Sequence, residues 1–264
     1  MNEHMNWGMK NRMSRIFNPE TGRTLMFAVD HGYFMGPTTG LENITETVNP
    51  LLPYADTLML TRGALRNYID PQKVTSIIMR VSSGTSILNP NLLHEGLSVS
   101  IEEAIRMNAS AVAFSVLVGA PFERDTLLAF SKLVDDAERY GMPTLAVTAV
   151  GKGLERDARY LSLATRIAGE LGARVVKTYY CEDFERVTST STVPVVIAGG
   201  KKVPEADALE TAYKAIQAGA SGVDMGRNIF QSSDPVAMVQ AVRAVVHNDA
   251  TGAEAYEMFQ DLSK

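Results

Sequence analysis

A lysine in the middle of an apolar segment is the first residue of this sequence that could do chemistry. Lys177 lies in "GARVVKTYY", where two valines and two tyrosines predict a buried strand. An ammonium group is costly to remove from water and is rarely buried without a reason. Lys177 either reaches solvent or a salt bridge from a strand end, or lies in a pocket where burial and nearby cations favour the neutral amine. A neutral amine can attack a ketone and form a Schiff base, an electron sink for breaking an adjacent carbon–carbon bond.

A carboxylate and an imidazole end an earlier apolar segment. Asp30 closes "LMFAVD" and His31 follows it in "DHGY". A carboxylate at this position can transfer a proton or hold a substrate hydroxyl, and an imidazole can act as acid or base. The alternatives are a turn or helix cap for Asp30 and a hydrogen-bonded structural role for His31. We take Asp30 and His31, with Lys177, as the candidate catalytic residues.

Glycines and cations near the carboxyl end of the chain predict a phosphate site. They occur in "IAGGKK" and "GVDMGRNIFQ". Glycine lets the backbone approach an anion closely, and arginine adds a charge-assisted hydrogen bond. The alternative is that the glycines only make tight turns between strands and helices. The candidate phosphate- and substrate-binding residues are Gly199, Gly200, Gly226, Arg227, Lys201 and Arg80.

Metal chemistry has little support in the sequence. The four histidines His4, His31, His94 and His247 form no HxxxH or HExxH pair. The lone Cys181 cannot build a thiolate site, and we interpret it as a small hydrophobic residue. We therefore expect no metal site and no bound cofactor.

Eight short apolar segments alternate with amphipathic ones and must position these residues. The segments are near-continuous, which is typical of parallel strands covered on both faces. Eight strand–helix units in 264 residues predict one α/β domain, a TIM (β/α)8 barrel over residues 1–264 with a helical N-terminal extension over residues 1–22. A doubly wound sheet is the alternative, but no GxGxxG follows the first segment. The predicted strands are Leu25–Asp30, Thr57–Thr61, Ser76–Val81, Ala111–Leu117, Thr144–Val150, Val175–Tyr179, Pro194–Gly199 and Val223–Gly226.

The barrel hypothesis brings the candidate residues together. In this fold the active site lies at the carboxyl ends of the strands, and strands 7 and 8 often supply a phosphate site. The extension segment "WGMKNRMSRIF" has helical spacing, and we expect it to close the other end of the barrel or to pack on a neighbouring subunit.

Composition excludes several classes of partner. A net charge of −5 gives no electrostatic case for nucleic acid or a membrane surface. No apolar run reaches the roughly 18 residues of a membrane span. One cysteine rules out an internal disulfide framework and fits a reducing cytoplasm, where we expect the protein to act.

Several long segments carry a resemblance to a known family. "AVDHGYFMGPTTGLE", "RVVKTYY", "VPVVIAGGKK" and "SGVDMGRNIFQSSDPVAM" resemble the DhnA-type class I aldolase family of TIM barrels, and the likeness covers nearly the whole chain. The resemblance implies that Lys177 is the Schiff-base lysine and Asp30 the aspartate of the DHG motif. It implies phosphate binding by Gly199, Gly200, Gly226 and Arg227, and it implies a ring-type homo-oligomer.

One departure from the family pattern favours a subgroup. Archaeal-type fructose-bisphosphate aldolases resemble "WSYPRG" after strand 5, where a tyrosine is the acid/base; here the stretch is "VTAVGKG", with Ala149 at that place. The resemblance then implies a thiolase-like acyltransferase of the autoinducer-2 pathway. Its phosphorylated substrate would be 3-hydroxy-5-phosphonooxypentane-2,4-dione, and coenzyme A would be the co-substrate. The alternatives are a Schiff-base aldolase acting on fructose bisphosphate or a related sugar phosphate, and a non-catalytic sugar-phosphate binding protein.

Overall fold

Eight parallel strands close into a barrel. The computed structural model describes residues 5–73, 76–89, 94–150 and 154–264. Each strand pairs with the next one along the chain, and the last pairs with the first, as in a TIM barrel. The predicted fold class is therefore confirmed. The strands are β1 Thr24–Ala28, β2 Thr57–Thr61, β3 Ile77–Arg80, β4 Ala111–Val118, β5 Thr144–Val150, β6 Val175–Tyr179, β7 Val195–Ala198 and β8 Gly222–Met225.

All eight predicted strands are present, with ends that differ by at most two residues. The largest difference is at β1, which was predicted to reach Asp30 and ends at Ala28. A strand ends where its ladder of backbone hydrogen bonds ends, whereas the apolar run continues into the buried loop that follows. Val29 lies beyond β1 and is only 2% exposed. Asp30 therefore lies in the loop above the barrel rather than on the strand.

Helices cover the outside of the barrel because their apolar residues recur every three or four positions. In the helix Ala158–Glu170, for example, Leu161, Ala164, Thr165 and Ala168 are buried. The helices are α1 Trp7–Ile16, α2 Gly32–Met35, α3 Ile44–Val48, α4 Arg62–Tyr68, α5 Ile101–Arg106, α6 Glu123–Arg139, α7 Ala158–Glu170, α8 Phe184–Thr190, α9 Glu205–Gln217, α10 Arg227–Phe230, α11 Pro235–Asn248 and α12 Gly252–Leu262, with a 3-10 turn at Leu52–Tyr54.

The N-terminal helix α1 closes the amino end of the barrel. Its buried residues Met9, Met13 and Ile16 join one apolar cluster with side chains from inside the barrel, among them Met26 and Met59. The side chain of Asn6 accepts a hydrogen bond from the Met9 amide and fixes the start of the helix. The sequence allowed two placements for this helix, against the end of the barrel or against a neighbouring subunit. The contact with the barrel interior is the first of them. With the amino end filled, the cavity of the barrel opens at the carboxyl end.

A small antiparallel ladder follows β3 and was absent from the predicted elements. Ser82–Ser83 pairs with Gly96–Leu97 across the carboxyl end of the barrel. The strands have two residues each, too few for any alternation of polar and apolar residues. The ladder brings Glu95 to the barrel mouth, where it is 8% exposed.

Within the described ranges, no helix is long and apolar enough to cross a membrane.

Candidate active site

A cavity of about 200 Å³ lies at the carboxyl ends of the strands. Six of the eight strands, or the loops directly after them, supply its polar lining, as the barrel hypothesis requires. The polar lining residues are Asp30, His31, Tyr33, Arg80, Glu95, Ser115, Thr148, Lys177, Tyr179, Asp224 and Arg227.

Lys177 on β6 and Asp224 on β8 form an ion pair inside this cavity. Both side chains point into the barrel. Strand β7 lies between β6 and β8, and it pairs through Val196 with Lys177 and through Ala198 with Asp224. Lys177 Nζ lies 3.0 Å from Asp224 Oδ2, and the side chains are 10% and 0% exposed. The contact is short but lacks the alignment of a hydrogen bond, and neither Asp224 oxygen has a hydrogen-bond partner among the described residues. Burial raises the pKa of Asp224 more than the charge of Lys177 lowers it.

Asp30 faces the same cavity but has a different partner. Arg80 on β3 donates from Nε to Asp30 Oδ2 at 2.9 Å, and both side chains are less than a tenth exposed. Burial alone raises the pKa of Asp30, but the charges of Arg80 and Lys177 outweigh it and leave that pKa below its ordinary value. Asp30 is therefore held as a carboxylate, whereas Asp224 is the carboxyl group that protonates more easily.

A buried hydrogen-bond network fixes Arg80. Its guanidinium donates to Ser115 Oγ at 3.1 Å and to Ser82 Oγ at 3.4 Å. Ser82 in turn donates to Glu95 Oε2 at 2.6 Å, and Tyr33 donates its hydroxyl to Glu95 Oε1 at 2.8 Å. Burial raises the pKa of Tyr33, so the hydroxyl remains a donor. The network holds the guanidinium in one orientation against Asp30.

His31 lines the same cavity as a neutral imidazole. Burial lowers its pKa to about 4, the cations Lys177 and Arg227 lower it, and Asp30 opposes the shift. Its Nδ1 is buried and has no hydrogen-bond partner in the described part of the chain. The ring packs edge-on against Phe230 at a centroid distance of 5.5 Å. An unpartnered, neutral nitrogen is available to a substrate group as donor or acceptor.

The glycine-rich loops after β7 and β8 form an open polar wall of the cavity. Gly200 has φ +70°, the left-handed conformation that favours glycine. A Cβ on Gly226 would lie 2.3 Å from Ala28 O and 2.5 Å from His31 Cε1, so only glycine fits. Arg227 Nε is buried without a hydrogen-bond partner among the described residues. A guanidinium without a protein partner, in a cavity also lined by Gly199, Gly200 and Gly226, is suited to bind an anion.

Asn228 holds the loop after β7 against the start of α10. Its Nδ2 donates to Gly199 O at 2.6 Å and to Lys201 O at 3.2 Å, and its Oδ1 accepts from Val203 N at 2.9 Å. The side chain is 1% exposed, so these three bonds are shielded from water. The loop that carries Gly199 and Gly200 is thereby fixed before any ligand arrives.

The structure brings eight of the nine candidate site residues to one cavity. Lys177, Asp30, His31, Arg80, Gly199, Gly200, Gly226 and Arg227 all line it. Lys201 is exposed and is not among the lining residues, so its role stays a prediction. Ala149 lines the cavity. The position at which archaeal-type aldolases have a tyrosine therefore carries no side chain that can transfer a proton. The residues Gly151, Lys152 and Gly153, which end the stretch "VTAVGKG", lie outside the described residues.

The candidate residues did not include six polar groups of the lining: Tyr33, Glu95, Ser115, Thr148, Tyr179 and Asp224. Asp224 and Ser115 each interrupt a buried apolar strand, the same signal that pointed to Lys177. Tyr33 follows the DHG motif and gave no separate signal. Glu95 reaches the site only through the short ladder after β3, which no sequence pattern predicts. Within the described residues, no group of three or more His, Cys, Asp and Glu side chains could hold a metal ion.

Comparison with known proteins agrees with this geometry. Residues 24–232 match the profile of the DeoC/LacD family aldolases, which is most of the barrel. The chain belongs to this aldolase family. Two relatives in the family are more than half identical to it over the aligned residues. A 3-hydroxy-5-phosphonooxypentane-2,4-dione thiolase of Photorhabdus laumondii is 55% identical over 97% of this chain and 88% of its own. A protein of the same name from Yersinia pseudotuberculosis is 54% identical over the same shares.

Solved structures of the family show the same fold. An archaeal fructose 1,6-bisphosphate aldolase superposes with a TM-score of 0.82 and 28% identity, covering 91% of this chain and 99% of that one. A further structure of an archaeal fructose-1,6-bisphosphate aldolase has the catalytic lysine covalently bound to the carbinolamine intermediate of the substrate. It matches with a TM-score of 0.80 and 26% identity over 90% of this chain and 99% of its own. The protein is thus an enzyme of the class I aldolase family, with the architecture of the sugar-phosphate aldolases and closer sequence relatives among the thiolases.

Proposed function

We propose that this enzyme is a thiolase that transfers the acetyl group of 3-hydroxy-5-phosphonooxypentane-2,4-dione to coenzyme A. The observation that carries the proposal is the buried amine of Lys177 in one small cavity with the loops of Gly200 and Arg227. One group can bind a ketone and the other its phosphate. The thiolase relatives, at 55% and 54% identity, supply the substrate and the reaction.

The substrate's functional groups match the two sides of the cavity. The dione has carbonyls at C2 and C4, a hydroxyl at C3 and a phosphate on C5. With the phosphate at Gly199, Gly200, Gly226 and Arg227, the C4 carbonyl is the one nearer that end and is assigned to Lys177. Asp30, held as a carboxylate by Arg80, is assigned to the C3 hydroxyl. In these assignments phosphate binding orients the carbonyl that reacts.

Lys177 provides the electron sink. Its neutral amine adds to C4, the C4–O bond breaks, and water leaves, which gives a protonated Schiff base. The thiolate of coenzyme A then attacks C2, and a C2–S bond forms. The C2–C3 bond breaks, and its electron pair moves toward the Schiff-base nitrogen to give an enamine. This cleavage releases acetyl-coenzyme A. Protonation of the enamine at C3 and hydrolysis of the Schiff base at C4 then release 1-hydroxy-3-phosphonooxypropan-2-one and free Lys177 again.

Cleavage of fructose 1,6-bisphosphate is the second candidate function, since the archaeal aldolases share the fold at 26–28% identity. A retro-aldol reaction needs a group to take the proton of the hydroxyl at the bond that breaks. In this chain Ala149 occupies the position that the sequence comparison assigns to that group, and alanine moves no proton. The thiolase proposal needs no base at this position, because the attacking thiolate expels the carbon fragment.

Incubation of the purified protein with each substrate, with and without coenzyme A, separates the two functions. We expect acetyl-coenzyme A to form only with the dione and only when coenzyme A is added. Lys177→Met removes the amine while keeping an apolar chain, and we expect it to abolish turnover and the borohydride-stable adduct. Triose phosphates from fructose 1,6-bisphosphate without coenzyme A would instead establish the aldolase.

The setting of the reaction is also part of the proposal. We place the enzyme in the cytoplasm, in the autoinducer-2 pathway, as a ring-type homo-oligomer. Support for the oligomer comes from the family resemblance of the chain, which implies a ring of subunits. Light scattering of the purified protein tests the oligomer, and a monomer would contradict it.

A further inference from the structure

The ion pair between Lys177 and Asp224 has a consequence for the start of the reaction. A lysine ammonium has no lone pair and cannot attack a carbonyl, so the proton must leave before catalysis begins. The acceptor must lie within hydrogen-bond reach of Nζ and must have a free oxygen or nitrogen atom. Asp224 Oδ2 lies 3.0 Å from Nζ.

The other acidic groups of the cavity already accept hydrogen bonds. Asp30 Oδ2 accepts from Arg80. Both Glu95 oxygens accept hydrogen bonds, from Tyr33 and from Ser82. Asp224, by contrast, has no aligned donor on either oxygen within the part of the chain that the structure describes. Among the described carboxylates that line the cavity, it is the one that is both adjacent to Lys177 and unoccupied.

We propose that Asp224 is a catalytic residue that takes the ammonium proton of Lys177 and later gives it to the hydroxyl of the carbinolamine, which leaves as water. In the first step the N–H bond of Lys177 breaks and an O–H bond forms on Asp224, so an ion pair becomes a neutral amine beside a carboxylic acid. The amine adds to the carbonyl, and one nitrogen proton ends on the former carbonyl oxygen. Asp224 then protonates the resulting hydroxyl, which leaves as water, and the nitrogen lone pair completes the Schiff base.

Burial favours this transfer. Two opposite charges inside a barrel carry a desolvation cost that a neutral acid–amine pair avoids. The side chain of Asp224 is fully buried, and apolar cavity residues such as Ala28 and Ala198 lie in the same lining. The raised pKa of Asp224 agrees with this geometry, and burial is its largest cause. The charged groups that face Asp224 from neighbouring elements are Lys177 on β6, Asp30 after β1 and Arg80 on β3.

This inference changes the role of Asp30. The sequence suggested that Asp30 transfers a proton or holds a substrate hydroxyl. With Arg80 on its oxygen, Asp30 stays ionised and keeps only the second role. Two carboxylates in one cavity thus have two environments: one is paired with a permanent cation, and the other shares a proton with the reacting amine.

Variants of Asp224 test the proposal, which rests on the proposed function for its substrate. We expect Asp224→Asn and Asp224→Ala to lower kcat for acetyl-coenzyme A formation about 10²–10⁴-fold, the usual contribution of a positioned acid–base group. Sodium formate should restore at least a tenth of the wild-type rate to Asp224→Ala, because formate supplies a carboxylate in the vacated space. Asp224→Glu should keep more activity than Asp224→Asn.

Three results would overturn the role of Asp224. They are an Asp224→Asn enzyme within threefold of the wild-type kcat, a folded Asp224→Ala enzyme that formate does not restore, and an Asp224→Glu enzyme no better than Asp224→Asn. If Asp224→Ala does not fold, the Glu and Asn variants decide. The activity of the wild-type protein distinguishes a wrong role for Asp224 from a wrong proposed function. If it makes no acetyl-coenzyme A from the dione, the thiolase proposal is wrong, and the same variants are then compared on fructose 1,6-bisphosphate.

Discussion

Arg80 and Asp30 are 50 residues apart in the chain and form a buried ion pair at 2.9 Å. Arg80 is the last residue of β3, and Asp30 lies in the loop after β1. Their side chains are 5% and 7% exposed. A charge this deep is stable only while its partner and hydrogen bonds are in place. The pair therefore joins two sides of the active-site cavity and makes their positions depend on each other.

Removing the cation should unfold the protein more readily. We expect Arg80→Met to lower the free energy of unfolding by about 3–5 kcal/mol, because Asp30 is then buried without its partner. Arg166→Met is the matched control: its ion pair with Glu170 is exposed on α7, and its loss should cost at most about 0.5 kcal/mol. Urea unfolding of both variants is the measurement. Equal losses would mean that the buried pair contributes no more than a surface one.

Arg227 should act on affinity for the phosphate. Its Nε has no protein partner among the described residues, and a charge-assisted bond to a phosphate oxygen contributes about 1.5–3 kcal/mol. We therefore expect Arg227→Met to raise KM for the phosphorylated dione by about 10–100-fold. The unphosphorylated dione should react equally poorly with both enzymes. Arg62→Met, an exposed position after β2, is the control and should leave KM unchanged. A large loss on the unphosphorylated substrate would contradict the assignment.

Gly226 should tolerate no side chain. A Cβ there would lie 2.3 Å from Ala28 O, which is backbone and cannot move without moving the end of β1. We expect Gly226→Ala to destabilise the protein by about 1–3 kcal/mol and to lower activity by displacing His31. Gly63→Ala is the comparison, since nothing lies within 4 Å of the added carbon in α4. Thermal unfolding and kcat are measured for both; an unaffected Gly226→Ala enzyme would show that the close approach is not required.

His31 should make stability depend on pH. Its pKa is about 4 in the folded protein and about 6.5 when unfolded, so between these values the unfolded chain binds more protons. Stability therefore falls as pH drops from about 6.5 to about 4, by about 3 kcal/mol from this group. His31→Gln cannot titrate and should flatten that part of the curve. Urea unfolding at pH 4.5, 5.5 and 7.5 tests the difference; parallel curves for the two proteins would contradict it.

The order of the elements could be predicted from the sequence because local patterns decide it. Near-continuous apolar runs separated by amphipathic segments predicted eight parallel strands, and all eight are present in the closed barrel. Strand order then predicted that Lys177 and the glycines of the last two strands face one cavity, because parallel strands place their carboxyl ends together. A lysine among valines was informative because burial of its charge needs a reason.

The pairing of charges could not be predicted, because it depends on angles and distances across the barrel. Both aspartates stand near strand ends in the sequence, and no local pattern shows that one contacts Arg80 and the other Lys177. Glu95 is brought in by a two-residue ladder too short to leave a pattern. The sequence by itself therefore determined the barrel and placed eight of the nine candidate residues at its mouth. Only the tertiary structure decided which carboxylate stays ionised and which is free to carry a proton, because that choice depends on partners from strands far apart in the chain.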